Sequence, residues 1–157
     1  MPQPIPPGYH TVTPYLITKG AGDAIEFYKK AFGATETFRM TLPDGKTIGH
    51  AEIKIGTSPV MLADEAPDRG FRSPKSYGGT PLSLLLYVEN ADAVFEQAVA
   101  AGAEVLSPLE NKFYGDRMGT IADPFGHHWT IGTHVEDVSE EEMRKRMEKN
   151  AGSAPAP

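Results

Sequence analysis

The sequence predicts an α+β protein built from two tandem βαβββ modules, and two observations carry that prediction. The first is a repeat. TPYLI (Thr13 to Ile17) leads through a Gly-containing turn to DAIEFYKKAFGA (Asp23 to Ala34), and SLLLY (Ser83 to Tyr87) leads likewise to DAVFEQAVAAGA (Asp92 to Ala103). The second is that three shorter extended runs follow each copy. Equivalent positions lie 70 apart in the first strand (Thr13 and Ser83) and 69 apart in the last (Met61 and Thr130), as one extra residue in the first strand-to-helix turn would produce. A duplication of this kind governs the whole fold, so it takes precedence over element-by-element assignment.

Each element has its own local reason. Asp23 and Asp92 can accept bonds from the free N–H groups of a first helical turn, and Gly33 and Gly102 supply the left-handed residue that ends a helix. Ile25, Phe27, Tyr28, Ala31 and Phe32 recur at helical spacing, as do Val94, Phe95, Ala98 and Val99, so each helix has an apolar stripe to lay on a sheet. The extended runs are Thr35 to Leu42, Thr47 to Ile55 and Val60 to Ala63, with PDG (Pro43 to Gly45) as a turn. Their counterparts are Glu104 to Ser107 with a variable stretch to Tyr114, Arg117 to Ala122, and His127 to Thr133 after the DPFG turn.

The modules, 11–65 and 81–138, are expected to form one domain. Residues 66–80 between them are rich in Gly, Pro and Ser, with Phe71 and Tyr77 interspersed, and read either as a plain linker or as a cover over a site. Residues 1–10 are an N-terminal extension. Ser139 and Glu142 form a capping box for a charged helix over 139–150, and a disordered tail is expected over 151–157.

Composition narrows the function classes. A chain of 157 residues can bury about 70% of its unfolded surface around one core. A hydrophobic share of 39% beside 23% charged residues is a globular balance. The net charge of −6, with no basic face, opposes nucleic-acid binding. Without cysteine there is no disulfide, thiolate nucleophile or thiolate metal site. The opening residues have no charged, apolar signal pattern and no apolar run approaches 18 residues, so no membrane association and a cytoplasmic location are expected.

With FYKKAFGA in the first helix, GHAEIKIG and PVMLADE before the connection, and DPFGHHWTIGTHVED at the end, the chain resembles the vicinal oxygen chelate superfamily, the glyoxalase, bleomycin resistance and dioxygenase fold, in its PhnB-like branch. The resemblance spans about residues 11 to 138. It implies a curled mixed sheet with a cup-shaped central cavity, helices outside, and a homodimer. Metal-dependent members carry His or Glu on the first and last strands of each half. Carried over, those positions are Thr13, Met61, Ser83 and Thr130, and neutral hydroxyls and a thioether cannot replace imidazole and carboxylate donors. No cofactor is therefore expected, although His50, Glu52 and His128 leave room for a displaced divalent ion.

Strand alternation sorts the remaining candidates. Thr13, Tyr15 and Ile17 should face the cup and Val12, Pro14 and Leu16 the helices. Ala51, Ile53 and Ile55 form the packed face of the next strand, although Ile48 breaks that parity. His50 and Glu52, two apart, are the catalytic candidates as an acid/base pair, or else a partly exposed strand face. Thr13, Tyr15, Ser83, Tyr87, His128 and Thr130 share cup parity and, with Met61, suit a small-molecule pocket, while Trp129 belongs to the core and His127 to the turn. Arg117 suits either a ligand anion or a salt bridge to Asp116 or a partner chain. No catalytic Ser-His-Asp spacing or nucleotide fingerprint appears. The expected function is small-molecule binding without the family metal; the alternative is a lyase, isomerase or dioxygenase-like enzyme using a displaced metal or the His50/Glu52 pair.

Overall fold

Two chain segments fold in the same order. β1 (Tyr15–Thr18), α1 (Ala21–Phe32), β2 (Thr35–Thr41), β3 (Ile48–Ile55) and β4 (Ser58–Asp64) make the first module; β5 (Ser83–Tyr87), α3 (Ala91–Ala100), β6 (Glu104–Asn111), β7 (Asp116–Ala122) and β8 (His128–His134) make the second. The structure is a computed structural model describing residues 1–151. The tail expected over 151–157 therefore lies, apart from Ala151, outside the described residues.

Each module is a four-stranded mixed sheet, ordered β1-β4-β3-β2 and β5-β8-β7-β6. The first and last strands of each module pair in parallel, Tyr15 opposite Met61 and Leu85 opposite Thr130, which a hairpin cannot achieve and the intervening helix makes possible. Ile48 escapes the parity of β3 because the β2–β3 register shifts between Met40 and Thr41. Beyond that shift Ala51, Ile53 and Ile55 are buried in strict alternation. β6 extends to Asn111, past the expected Ser107, with two register shifts along the way.

The helix starts differ from expectation. Neither Asp23 nor Asp92 caps its helix. The Asp64 carboxylate, at the end of β4, accepts from the N–H groups of Gly20 and Ala21 at 3.0 and 2.6 Å, and Asn90 caps α3 by accepting from Ala93. Thr133, the repeat counterpart of Asp64, also accepts from Ala91 N–H at 2.9 Å. In both modules, then, the last strand caps the helix across the sheet. Gly33 stops α1 as expected, with φ 65, a conformation that costs a residue with a Cβ. The extra residue sits at this end of the helix and not in the strand-to-helix turn. Ala21 matches Ala91 and Ile25 matches Phe95 in burial, and only from Gly33 and Gly102 onward does the spacing become 69.

One core joins the modules. α1 packs against α3, and Trp129 of β8, 1% exposed, lies against Tyr28 and Phe32 of α1 at ring separations of 5.4 and 4.9 Å. Asp123, buried in the DPFG turn, accepts from Tyr28 Oη at 2.6 Å and Trp129 Nε1 at 2.9 Å, and from the N–H groups of Phe125 and His127. Burial first, then the carboxylate beside it, pushes the Tyr28 hydroxyl well above its ordinary pKa. His127 Nε2 meets the Ile17 carbonyl at 2.9 Å, a second tie between modules. The DPFGH motif is thus a clasp, since a buried carboxylate needs this many donors to offset its desolvation.

Residues 66–80 are folded. They hold a 3₁₀ turn (Pro67–Arg69) and a short helix, α2 (Pro74–Tyr77), capped by Ser73. Beyond the second module, α4 (Glu140–Ala151) starts on a Ser139 cap to Glu142 N–H and is tied back by Arg146, which binds Glu136 and the Phe113 carbonyl. No helix among the described residues is long and apolar enough to cross a membrane.

Candidate functional site

The faces of the sheets turned away from the helices carry the candidate residues except Arg117, which lies on the helix side, against Asp92 of α3. On the first, the two-residue spacing of His50 and Glu52 puts both side chains on one side, where they form a chain with two tyrosines. Tyr9 Oη donates to Glu52 Oε2, His50 Nε2 lies 3.1 Å from Glu52 Oε1, and Tyr15 Oη lies 2.8 Å from His50 Nδ1. An ionised carboxylate only accepts, so it selects the tautomer with the proton on Nε2. Nδ1 is then the acceptor and Tyr15 the donor. The bonds from Tyr9 and then His50 hold the Glu52 carboxyl below its usual range. Burial, with help from the Glu52 bond and charge, pushes Tyr9 to about 12. Burial also raises Tyr15, against the positive charge of Arg69. A chain of this kind can deliver or accept a proton at the Tyr15 oxygen.

Tyr15 borders a cavity of about 360 Å³. Its apolar wall is Ile17, Met40, Leu42 and Phe71, and Arg69 stands at the same cavity. Tyr15 and Ile17 also border a more open hollow of about 510 Å³ beside Arg72 and Tyr77. The connector, one of whose readings was a plain linker, forms part of both walls. Glu65 pins it by accepting from Ser73 N–H at 2.7 Å and from the Ser76 hydroxyl. Those two serines hold the Glu65 carboxyl at about 2.

The second face is built otherwise. Tyr87 Oη donates to Asp116 at 2.8 Å, and His134 bridges Asp116 and Asp137 at 2.7 and 2.8 Å. The Asp137 and Asp116 carboxylates raise the His134 pKa, in that order. Burial pushes Asp116 up, but the bonds from His134 and Tyr87 outweigh it and leave the group lowered. Ser83 and Thr130 hydroxyls lie 3.3 Å apart, and Thr120 is 2.9 Å from Thr130. Arg117 forms a paired salt bridge to Asp92 at 2.6 and 2.7 Å, so its partner within the chain is Asp92 and not Asp116. His128 borders a shallow recess with Pro74 and Lys75, and its ring is not joined to the His50–Glu52 pair.

The structure thus brings Tyr15, His50 and Glu52 together, and separately Ser83 and Thr130. The carried-over metal positions offer poor donors: Thr13 bonds the His10 carbonyl and Met61 presents a thioether. Among the described residues no cluster of three or more His, Asp or Glu side chains could hold a metal ion. Sequence reasoning did not reach Tyr9, Arg69 or His134. Alternation could have found His134, which shares parity with His128 and Thr130; nothing local marks Tyr9, whose partner is 43 residues away.

Comparison with known proteins adds four findings. The family model for the Glyoxalase/Bleomycin resistance protein/Dioxygenase superfamily matches residues 9–131. Uncharacterized protein Mb0911c of Mycobacterium bovis is 45% identical over 139 residues, covering 87% of this chain and 91% of that one. The X-ray structure of the Arabidopsis thaliana gene product At5g48480 is 30% identical and covers 78% of this chain and 98% of that chain, with a TM-score of 0.63. A PhnB protein from Bacillus cereus, titled a putative 3-demethylubiquinone-9 3-methyltransferase, is 21% identical with a TM-score of 0.62 over 79% and 99% of the chains, a likeness of fold alone.

Proposed function

The chain belongs to the glyoxalase, bleomycin resistance and dioxygenase superfamily, and we propose that within it the protein binds a small, largely apolar molecule without the metal of its metal-dependent relatives. The observation that carries this reading is the cavity of about 360 Å³ against Tyr15, whose aromatic and aliphatic wall and few polar groups are the usual make-up of a small-molecule site. The donor set at Thr13, Met61, Ser83 and Thr130 supports the metal-free part. The protein acts as a homodimer, in which apolar side chains now exposed on the open faces, Phe38, Met40, Leu85 and Leu106 among them, become covered.

A thermal-shift screen of small aromatic compounds, run with and without a chelator, tests the reading. A ligand of the native state raises the midpoint by mass action, and the chelator should leave both the midpoint and the shift unchanged. A midpoint that collapses on chelation would overturn the metal-free part. Light scattering on the same samples should give about twice the 17.0 kDa chain mass.

A second reading, an acid/base enzyme, is favoured by one specific observation, the hydrogen-bonded Tyr9–Glu52–His50–Tyr15 chain ending at the cavity. It needs substrate bound at the same place, so the first reading is its precondition.

A further inference from the structure

The arginines of this chain divide into two groups. Arg39 is bound to Glu36, Arg117 to Asp92, Arg144 to Glu140 and Arg146 to Glu136, each through a carboxylate within 4.0 Å. Arg69 and Arg72, both on the connector, have no such carboxylate among the described residues. In a protein of net charge −6 an unpaired guanidinium is the exception, and these two stand at adjoining hollows that share Tyr15 and Ile17.

The carboxylates at the first cavity do not serve Arg69. Asp64 spends its oxygens on Gly20, Ala21 and Ile48 N–H groups at 3.0, 2.6 and 2.8 Å, at the positive end of the α1 dipole. Glu65 is held by Ser73 and Ser76. Arg69 is instead placed by Phe71, whose ring centre lies 5.5 Å from the guanidinium carbon. That contact leaves the N–H fork without an acceptor, and the fork matches a carboxylate in two parallel bonds.

We infer that the ligand of this cavity is an organic anion, a planar apolar body lying against Tyr15 and Phe71 with a carboxylate head held by Arg69 and drawn in by Arg72. The inference rests on the ligand-binding reading above and deepens it. It also gives the connector a task. Pinned by Glu65 and continuing β4, it carries the charge that selects the ligand, while the sheet supplies the apolar wall.

The test uses 1-naphthoate and its uncharged isostere 1-naphthamide, titrated into the full-length protein by calorimetry at pH 7. Naphthoate should bind at least tenfold more tightly than naphthamide. Arg69→Gln should remove most of that preference by weakening naphthoate far more than naphthamide, the Arg69/Arg72 double Gln variant should remove the rest, and Arg69→Lys should restore part of it. Arg117→Gln, which breaks a salt bridge elsewhere, should leave the preference intact. Unfolding midpoints of all variants are measured alongside, and Arg69 is exposed on a surface turn, where Gln is easily accommodated. Equal affinity for the two probes, or a preference that survives in the double variant, overturns the anion assignment and leaves the ligand-binding reading standing. If neither probe binds at millimolar concentration, both fall together.

Discussion

In the first module an open sheet face and a folded connector make a walled cavity, and behind its Tyr15 a histidine, a carboxylate and Tyr9 of the N-terminal segment follow in a hydrogen-bonded chain. In the second module the same chain path ends in a face whose polar groups satisfy one another: Tyr87 with Asp116, Asp116 with His134, and Thr130 with both Ser83 and Thr120. One scaffold therefore carries two different faces. The difference comes less from the strands than from what is attached to them, since both the connector and Tyr9 lie outside the repeat. Where the modules must do the same physical task they use different chemistry at matching positions. Asp64 caps α1 with two accepted bonds and takes a third from Ile48 N–H of β3, and Thr133 caps α3 with one accepted bond while donating to the Val88 carbonyl at 2.7 Å.

The largest test of how the modules depend on each other is Asp123→Ala. It strips the acceptor from the Tyr28 hydroxyl, the Trp129 indole and two backbone N–H groups in one buried place, and should cost about 3–5 kcal/mol. Chemical denaturation followed separately by Trp129 fluorescence and far-ultraviolet circular dichroism should give coincident transitions. Two separated transitions would show that the modules fold independently.

The contrast between faces is sharpened by paired substitutions. Tyr15→Ala should weaken binding of a cavity ligand by about 1–3 kcal/mol as a lost aromatic anchor, and Tyr87→Ala should leave it nearly unchanged. Equal losses from both would instead put the two faces around one ligand, as a dimer could arrange. Calorimetric titration of each variant, with its unfolding midpoint as control, separates these outcomes.

The caps should follow their bond counts. Asp64→Ala is expected to destabilise by about 2 kcal/mol and Thr133→Val by about 1 kcal/mol, measured by urea unfolding at pH 7. Reversal of that order would mean that solvent replaces Asp64 more readily than its three bonds suggest.

The smallest effect concerns pH. Glu52 has its folded pKa lowered from 4.5, so the stability it adds is fully present above the unfolded value and is lost as pH falls through the folded one. Tyr9→Phe removes the leading cause of that lowering. Its cost should be about 0.5–1 kcal/mol near neutrality, given the partial exposure of the pair, and should shrink below pH 4.5 as Glu52 protonates. A cost that stays constant down to pH 3 would mean that Tyr9 acts by packing and not through the carboxylate.

Much of this architecture was legible in the residues. The strand–helix–strand repeat, the apolar stripes, the Gly33 stop and the alternation of Ala51, Ile53 and Ile55 are local patterns, because side-chain direction along a helix or strand depends only on position within it. For the same reason the sharing of a face by His50 and Glu52 could be read directly. What could not be read were partners across sequence distance. Asp64 reaches a helix start 43 residues earlier, Trp129 packs on the helix of the other module, and Tyr9 comes to Glu52 and Arg69 to the cavity at Tyr15 from segments with no periodicity at all. Alternation says which way a side chain points, but only the packing of α1 on α3, the clasp at Asp123 and the folded connector decide what it meets there, because those contacts are set by long-range burial.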